Sequence, residues 1–158
     1  MITATGVMDN ETVYRSFSAE LTRYATGLVG PFDAPDVVTD ACLKAFEARN
    51  WPNVVDPRAY LYRTVLTVAH DHHRRTLSRR LREMRTAGRD HVPDPAASVD
   101  VEVLGAVERL SVQQRAAVFL TYWEDLPPDV VGERMGVSTG TVKRHLDRAR
   151  KRLGELLS

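Results

Sequence analysis

The chain has 158 residues, of which 43% are apolar and 27% charged, with a formal net charge of +1; this is the balance of a globular chain of one medium or two small domains. Cys42 is its only cysteine, which excludes an internal disulfide and a thiolate zinc site. No run of about eighteen apolar residues marks a membrane span, and the N-terminal MITATGVMDN has no basic region followed by an apolar core, so the expected setting is a reducing cytoplasm.

The period is helical from the start. Asp9 or Asn10 can cap a first helix with Val13, Phe17, Leu21, Tyr24 and Leu28 on its apolar face, and Gly30-Pro31 ends it. Asp33, with Pro35 in the first turn and Asp36 three residues on, opens a second helix with Val38, Ala41, Cys42, Ala45 and Phe46 inside. The loop between Asn50 and Pro57 breaks the period and carries Trp51. Asp56-Pro57 is a cap with proline at the first helical position, starting a helix through Tyr60, Leu61, Val65, Val68 and His72 into an arginine-rich stretch that Gly88 can end. Residues 91–98, HVPDPAAS, have the composition of a linker.

The second half opens with a helix over residues 99–109 using Val103, Val107 and Leu110. Ser111 and Gln114 form a capping box for the next, with Ala116, Phe119, Leu120 and Trp123 inside. From Pro128 the chain reads PDVVGERMGVSTGTVKRHLDRARKRLGELL. Here Gly132 allows close helix approach, Gly136 fits a left-handed helix stop, Ser138 is an N-cap, and Val142, Leu146, Ala149, Leu153 and Leu156 make one buried stripe. The other face carries Lys143, Arg144, Arg148, Arg150, Lys151 and Arg152 against Asp147 alone. This is the pattern of a helix-turn-helix DNA reader, with Ser138, Thr139 and Thr141 small enough to let the backbone approach base edges.

With no alternating run to support a sheet, the expected fold is all-α: two small helical bundles joined by a linker, the second a four-helix, helix-turn-helix domain without a wing. The near-zero net charge is segregated, since Arg74 to Arg89 holds seven arginines against Glu83. If residues 76–100 were extended, they would span roughly 80 Å, about two DNA turns. Two other functional classes fit parts of the chain. His70-Asp71-His72-His73 suggests a metal-dependent phosphohydrolase, but neighbours on one helix point apart and only His91 and His145 remain to complete a site. A polymerase-independent helix-turn-helix regulator usually dimerises, and no coiled-coil seam or effector domain is visible.

The segments DAPDVVTDACLKAF, WPNVVDPRAYLYRTVLTVAHDHHRR and LSVQQRAAVFLTYWEDLPPDVVGERMGVSTGTVKRHLDRARKRLGELL together resemble the two modules of the extracytoplasmic-function class of bacterial RNA polymerase sigma factors. The resemblance implies a promoter-recognition subunit with no enzymatic activity, cofactor or metal. Residues 9–88 would form a region 2-like module, 89–98 a linker, and 99–158 a region 4-like module. The implied partners are core RNA polymerase, at its largest-subunit clamp and flap regions, promoter DNA, and an anti-sigma protein able to hold the lobes shut. Asp36, Asp40 and Lys44 would face the polymerase. Trp51, Asn53, Arg58, Tyr60, Arg63, Thr67, His70 and Arg74 would serve the −10 element and strand melting, with Trp51 alternatively a core plug and Asn53 the better base-edge contact. Thr139, Thr141, Lys143, Arg144, Asp147 and Arg148 would read the −35 element. Thr67 stands where relatives often have asparagine, Arg144 and His145 replace a small residue and an arginine, and Pro127-Pro128 departs from a serine-rich helix start. The preferred promoter is therefore expected to differ from the usual one.

Overall fold

A computed structural model describes residues 9–87 and 105–157, and among these the chain is all helix and turn. The first helix, α1, runs Asn10–Val29. Asp9 caps it by accepting from the Thr12 backbone N–H at 2.8 Å, and the Asn10 side-chain oxygen Oδ1 accepts from Trp51 Nε1 at 2.8 Å. Gly30, at φ 88°, ends the helix.

Helix α2 spans Ala34–Glu47, and its start differs from expectation. Asp33 makes no capping bond. Its carboxylate instead lies 3.2 Å from His72 Nε2, pairing with the third helix across the bundle. A single 3-10 turn, Trp51–Asn53, leads to α3, Pro57–Ala87, which Asp56 caps through the Ala59 N–H at 3.1 Å. The arginine-rich stretch is thus helical through Ala87, so residues 76–87 rise about 1.5 Å each rather than about 3.4 Å, and the extended reach expected of the connector shrinks by roughly 20 Å. Gly88, the linker 89–98 and the expected helix start at Val99, with Val103, lie outside the described residues.

In the second bundle, a helical turn over residues 105–108 leads through buried Leu110 to α4, Val112–Val118. Both hydrogen bonds of the Ser111–Gln114 capping box are present, at 3.1 Å each. The chain then widens into a π turn, Phe119–Trp123. That wider turn shifts the helical phase, so Trp123, expected inside, is 72% exposed and stacks on Phe119. Helices α5, Pro128–Met135, and α6, Thr139–Leu157, complete the bundle. Gly136 sits at φ 72° at the turn between them, and a Cβ on Gly132 would lie 2.7 Å from the Val137 carbonyl oxygen, so both glycines are required by geometry. Among the described residues no helix is long and apolar enough to cross a membrane.

The bundles share one core. Helix α4 packs on α1 and α3, and α5 packs on α3, because bundles of this size bury too little surface alone and their remaining apolar faces pair. A Cβ on Gly27 would meet the Phe119 ring at 2.7 Å, Phe119 packs 6.0 Å from Tyr24, and the Arg134 guanidinium lies over the Tyr62 ring at 4.7 Å. At the centre is Arg115, 7% exposed. It donates to the carbonyls of Leu110 at 3.1 Å, of Glu108 at 3.0 Å and, across the junction, of Leu28 at the end of α1.

Candidate nucleic-acid interface

Helix α6 buries Val142, Leu146 and Ala149 against the bundle and turns its polar side outward, while Leu153 and Leu156, expected in the same buried stripe, are only half-buried. Thr139, Lys143, Arg144, Asp147 and Arg148 are exposed and Thr141 is half-buried, so the residues expected to meet the −35 element share the outer side of one helix. The Ser138 hydroxyl caps α6 by accepting from the Thr141 N–H at 3.2 Å. The six cations of this helix are not equivalent. Arg150 is drawn onto the Tyr122 hydroxyl at 2.6 Å and to Asp147 at 3.4 Å, and Arg152 lies 3.8 Å from Glu155. Lys143, Arg144, Arg148 and Lys151 have no carboxylate partner among the described residues and remain available to phosphate or base edges.

Along α3, Tyr60, Arg63, Thr67, His70 and Arg74 recur at steps of three and four and therefore form one stripe. Arg63, Thr67 and Arg74 are exposed, and Tyr60 and His70 half-buried. The Thr67 hydroxyl donates to the Arg63 carbonyl at 3.1 Å, which consumes the donor that this position would otherwise offer. Arg58 is held by Glu20 at 3.2 Å and sits over the Phe17 ring at 5.1 Å. Asn53 is exposed on the loop, and next to it Val55 is 97% exposed. A cleft of about 340 Å³ separates this loop from α5, with Phe17, Val55 and Arg58 on one wall and Val130, Glu133 and Arg134 on the other.

Trp51 is placed differently from the rest of its set. It is 7% exposed, packs on Phe46 and Tyr60, and spends its indole N–H on Asn10. It fills the bundle interior and props the loop that presents Asn53. On α2, Asp36, Asp40 and Lys44 form an exposed row with the half-exposed Leu43 beside it. The histidine cluster does not converge, since His72 turns to Asp33 while His70 lies 4.0 Å from Asp71, and no metal-binding group of three such side chains exists among the described residues.

Two half-buried histidines, His73 and His145, tie stability to pH. Burial lowers the pKa of His145, with Arg148 and Arg144 adding to the effect, and burial followed by Arg115 lowers that of His73. The folded chain therefore favours both neutral forms, whereas the unfolded chain takes up protons below about pH 6.5. Stability is expected to be fully present above that value and to fall as pH drops through the lowered folded pKa values. Thermal melting between about pH 5 and 8 should show this slope, and His73→Gln with His145→Gln should flatten it.

Three contributors were not foreseen from the sequence. Arg115 is buried and donates across the junction to the Leu28 carbonyl. Glu20 accepts from both Arg58 and the Tyr62 hydroxyl, at 3.2 and 2.9 Å, and Tyr122 anchors Arg150. Each acts through contacts 28 to 87 residues away in sequence, and no local pattern marks them.

Residues 13–80 match the family model for sigma-70 region 2, and residues 100–153 that for sigma-70, region 4. The RNA polymerase sigma-E factor of Streptomyces antibioticus is 30% identical over 162 residues, covering 96% of this chain and 86% of the relative. That of Streptomyces coelicolor is 30% identical over 159 residues, covering 96% and 87%. Among solved structures, the sigma factor RpoE in complex with the anti-sigma factor NepR from Bartonella quintana shares the fold with TM-score 0.59 and 23% identity over 93% of this chain and 95% of that one. CnrH in complex with the cytosolic domain of CnrY does so with TM-score 0.59 and 23% identity over 94% and 86%.

Proposed function

Because the chain belongs to the sigma-70 family of RNA polymerase sigma factors, in its extracytoplasmic-function class, and so directs promoter-specific initiation, we propose the following division of labour. Residues 9–88 dock on core polymerase and open the −10 element, residues 89–98 link, and residues 99–158 read the −35 element. The chain supplies recognition and no catalysis of its own. Lys143, Arg144 and Arg148, with Thr139, Thr141 and Asp147, enter the major groove. Asn53, backed by Trp51, meets an unpaired base at the exposed loop, and the stripe from Tyr60 to Arg74, flanked by Arg58, follows the separated strand. Asp36, Asp40 and Lys44 meet the polymerase clamp, and the flap receives the second bundle.

The observation that carries this reading is two outward-facing rows, one on α3 in the bundle that matches region 2 and one on α6 in the bundle that matches region 4. The junction adds a constraint. A Cβ on Gly136 would lie 2.8 Å from Arg63 Cδ, so the strand-facing stripe touches the turn that presents α6. The bundles must part for both rows to meet DNA at once, and core polymerase supplies the differential affinity that favours the parted form. A partner protein that prefers the closed form would keep the chain off promoters, the role we assign to an anti-sigma protein here.

Run-off transcription with purified core polymerase tests this directly. The chain should direct initiation at a subset of a promoter library, while Lys143→Ala lowers the yield about tenfold and still co-sediments with core. Failure of the unmodified chain to associate with core, combined with tight binding to duplex DNA alone, would instead establish an independent regulator.

A further inference from the structure

The start of α6 holds a chain of hydrogen bonds that ends on Arg144. The Ser138 and Thr141 hydroxyls lie 3.0 Å apart, and Arg144 Nη2 donates to Thr141 Oγ1 at 2.9 Å. An exposed arginine ordinarily samples many rotamers, and a guanidinium already tethered loses less freedom when it binds. No carboxylate competes for it, because Asp147, one turn further on, is taken by Arg150, and Arg150 in turn is fixed on Tyr122. Arg144 therefore carries an unneutralised fork in a restricted position. One N–H is used on Thr141, and the remainder exceed the pair needed for O6 and N7 of guanine. The Thr141 oxygen, already accepting from Arg144 and facing Ser138, has little capacity left for a base of its own.

We propose that Thr141 is a positioning residue whose hydroxyl fixes the Arg144 fork, and that Arg144 so held reads one guanine in the −35 element. This rests on the promoter-reading role of α6 given above, and differs from it in taking Thr141 out of direct base contact.

The test uses holoenzyme assembled from the full chain and core polymerase, transcribing promoters with each −35 base pair varied in turn. The unmodified chain should show a guanine preference of about tenfold or more at one position, reduced there by 7-deazaguanine, which lacks N7. Thr141→Val should lose that preference while its profile at the other positions and its melting temperature hold, and Thr141→Ser should keep it. Arg144→Lys, which retains the charge without the fork, should lose the preference at that position while its relative profile at the other −35 positions holds. Unchanged guanine preference in Thr141→Val or in Arg144→Lys overturns the proposal, as does a uniform loss across all −35 sequences in Thr141→Val. Absence of any promoter-dependent transcript from the unmodified chain overturns the parent reading and the proposal with it.

Discussion

Trp51→Ala is expected to cost about 3–5 kcal/mol of stability, the range for removing a large aromatic from a core, and to abolish function by unfolding the first bundle. The indole is almost fully buried, packed between Phe46 and Tyr60 with ring centroids 5.2 and 5.6 Å away, and its N–H bonds to the first residue of α1. Its removal opens a cavity and strips Asn10 of its donor. Trp51→Phe keeps most of the ring volume and should lose only a part of this. Chemical denaturation of the two variants measures the difference. A base-stacking tryptophan would behave otherwise: Trp51→Ala would fold normally and fail only in opening the −10 element, and that result would remove Trp51 from the core.

Arg115→Ala should be nearly as severe. Its three donors serve backbone carbonyls, two of them buried, Leu110 beside it in the second bundle and Leu28 at the end of α1, and the third, Glu108, partly buried. Stripping buried acceptors of a charged donor costs about 2–4 kcal/mol, which corresponds to a melting temperature lower by roughly 5–15 °C. The Leu28 carbonyl belongs to the other bundle, so the loss should also loosen the junction. Small-angle scattering is expected to show a larger radius of gyration, and association with core polymerase should speed up because the bundles part more readily. An unchanged melting midpoint and size would mean that Arg115 does not hold the bundles together. Arg115→Met keeps the stem's packing but not the donors, and should fall between.

Much of the helical framework was legible residue by residue. The Asp9 and Asp56 caps, the Ser111–Gln114 box, Gly136 at the left-handed stop and the Val142–Leu146–Ala149 stripe all follow from rules that act within one helical turn, and each is present. The departures have separate causes. Asp33 had a capping pattern, yet its carboxylate found His72 on α3, and Trp123 had the correct spacing to be buried, yet a single wide turn rotated it to the surface. In the first a contact from another helix, and in the second a wider turn of the helix itself, outweighed a preference of a kcal/mol or so.

The candidate interface divides along the same line. The residue types and their spacing already decided that α6 presents cations outward and that α3 carries a polar stripe, because helical periodicity alone assigns sides. Which cations stay unpaired was decided by tertiary contacts, since Tyr122 captures Arg150 and Glu20 captures Arg58, whereas the Thr141 tether on Arg144 is a contact within one helical turn. The buried Arg115 and the contact of Arg63 with the Gly136 turn are likewise products of how the two bundles meet. Periodicity and capping are local and can be read from a few adjacent letters, whereas charge pairing and closure depend on which distant surfaces the remaining apolar faces force together.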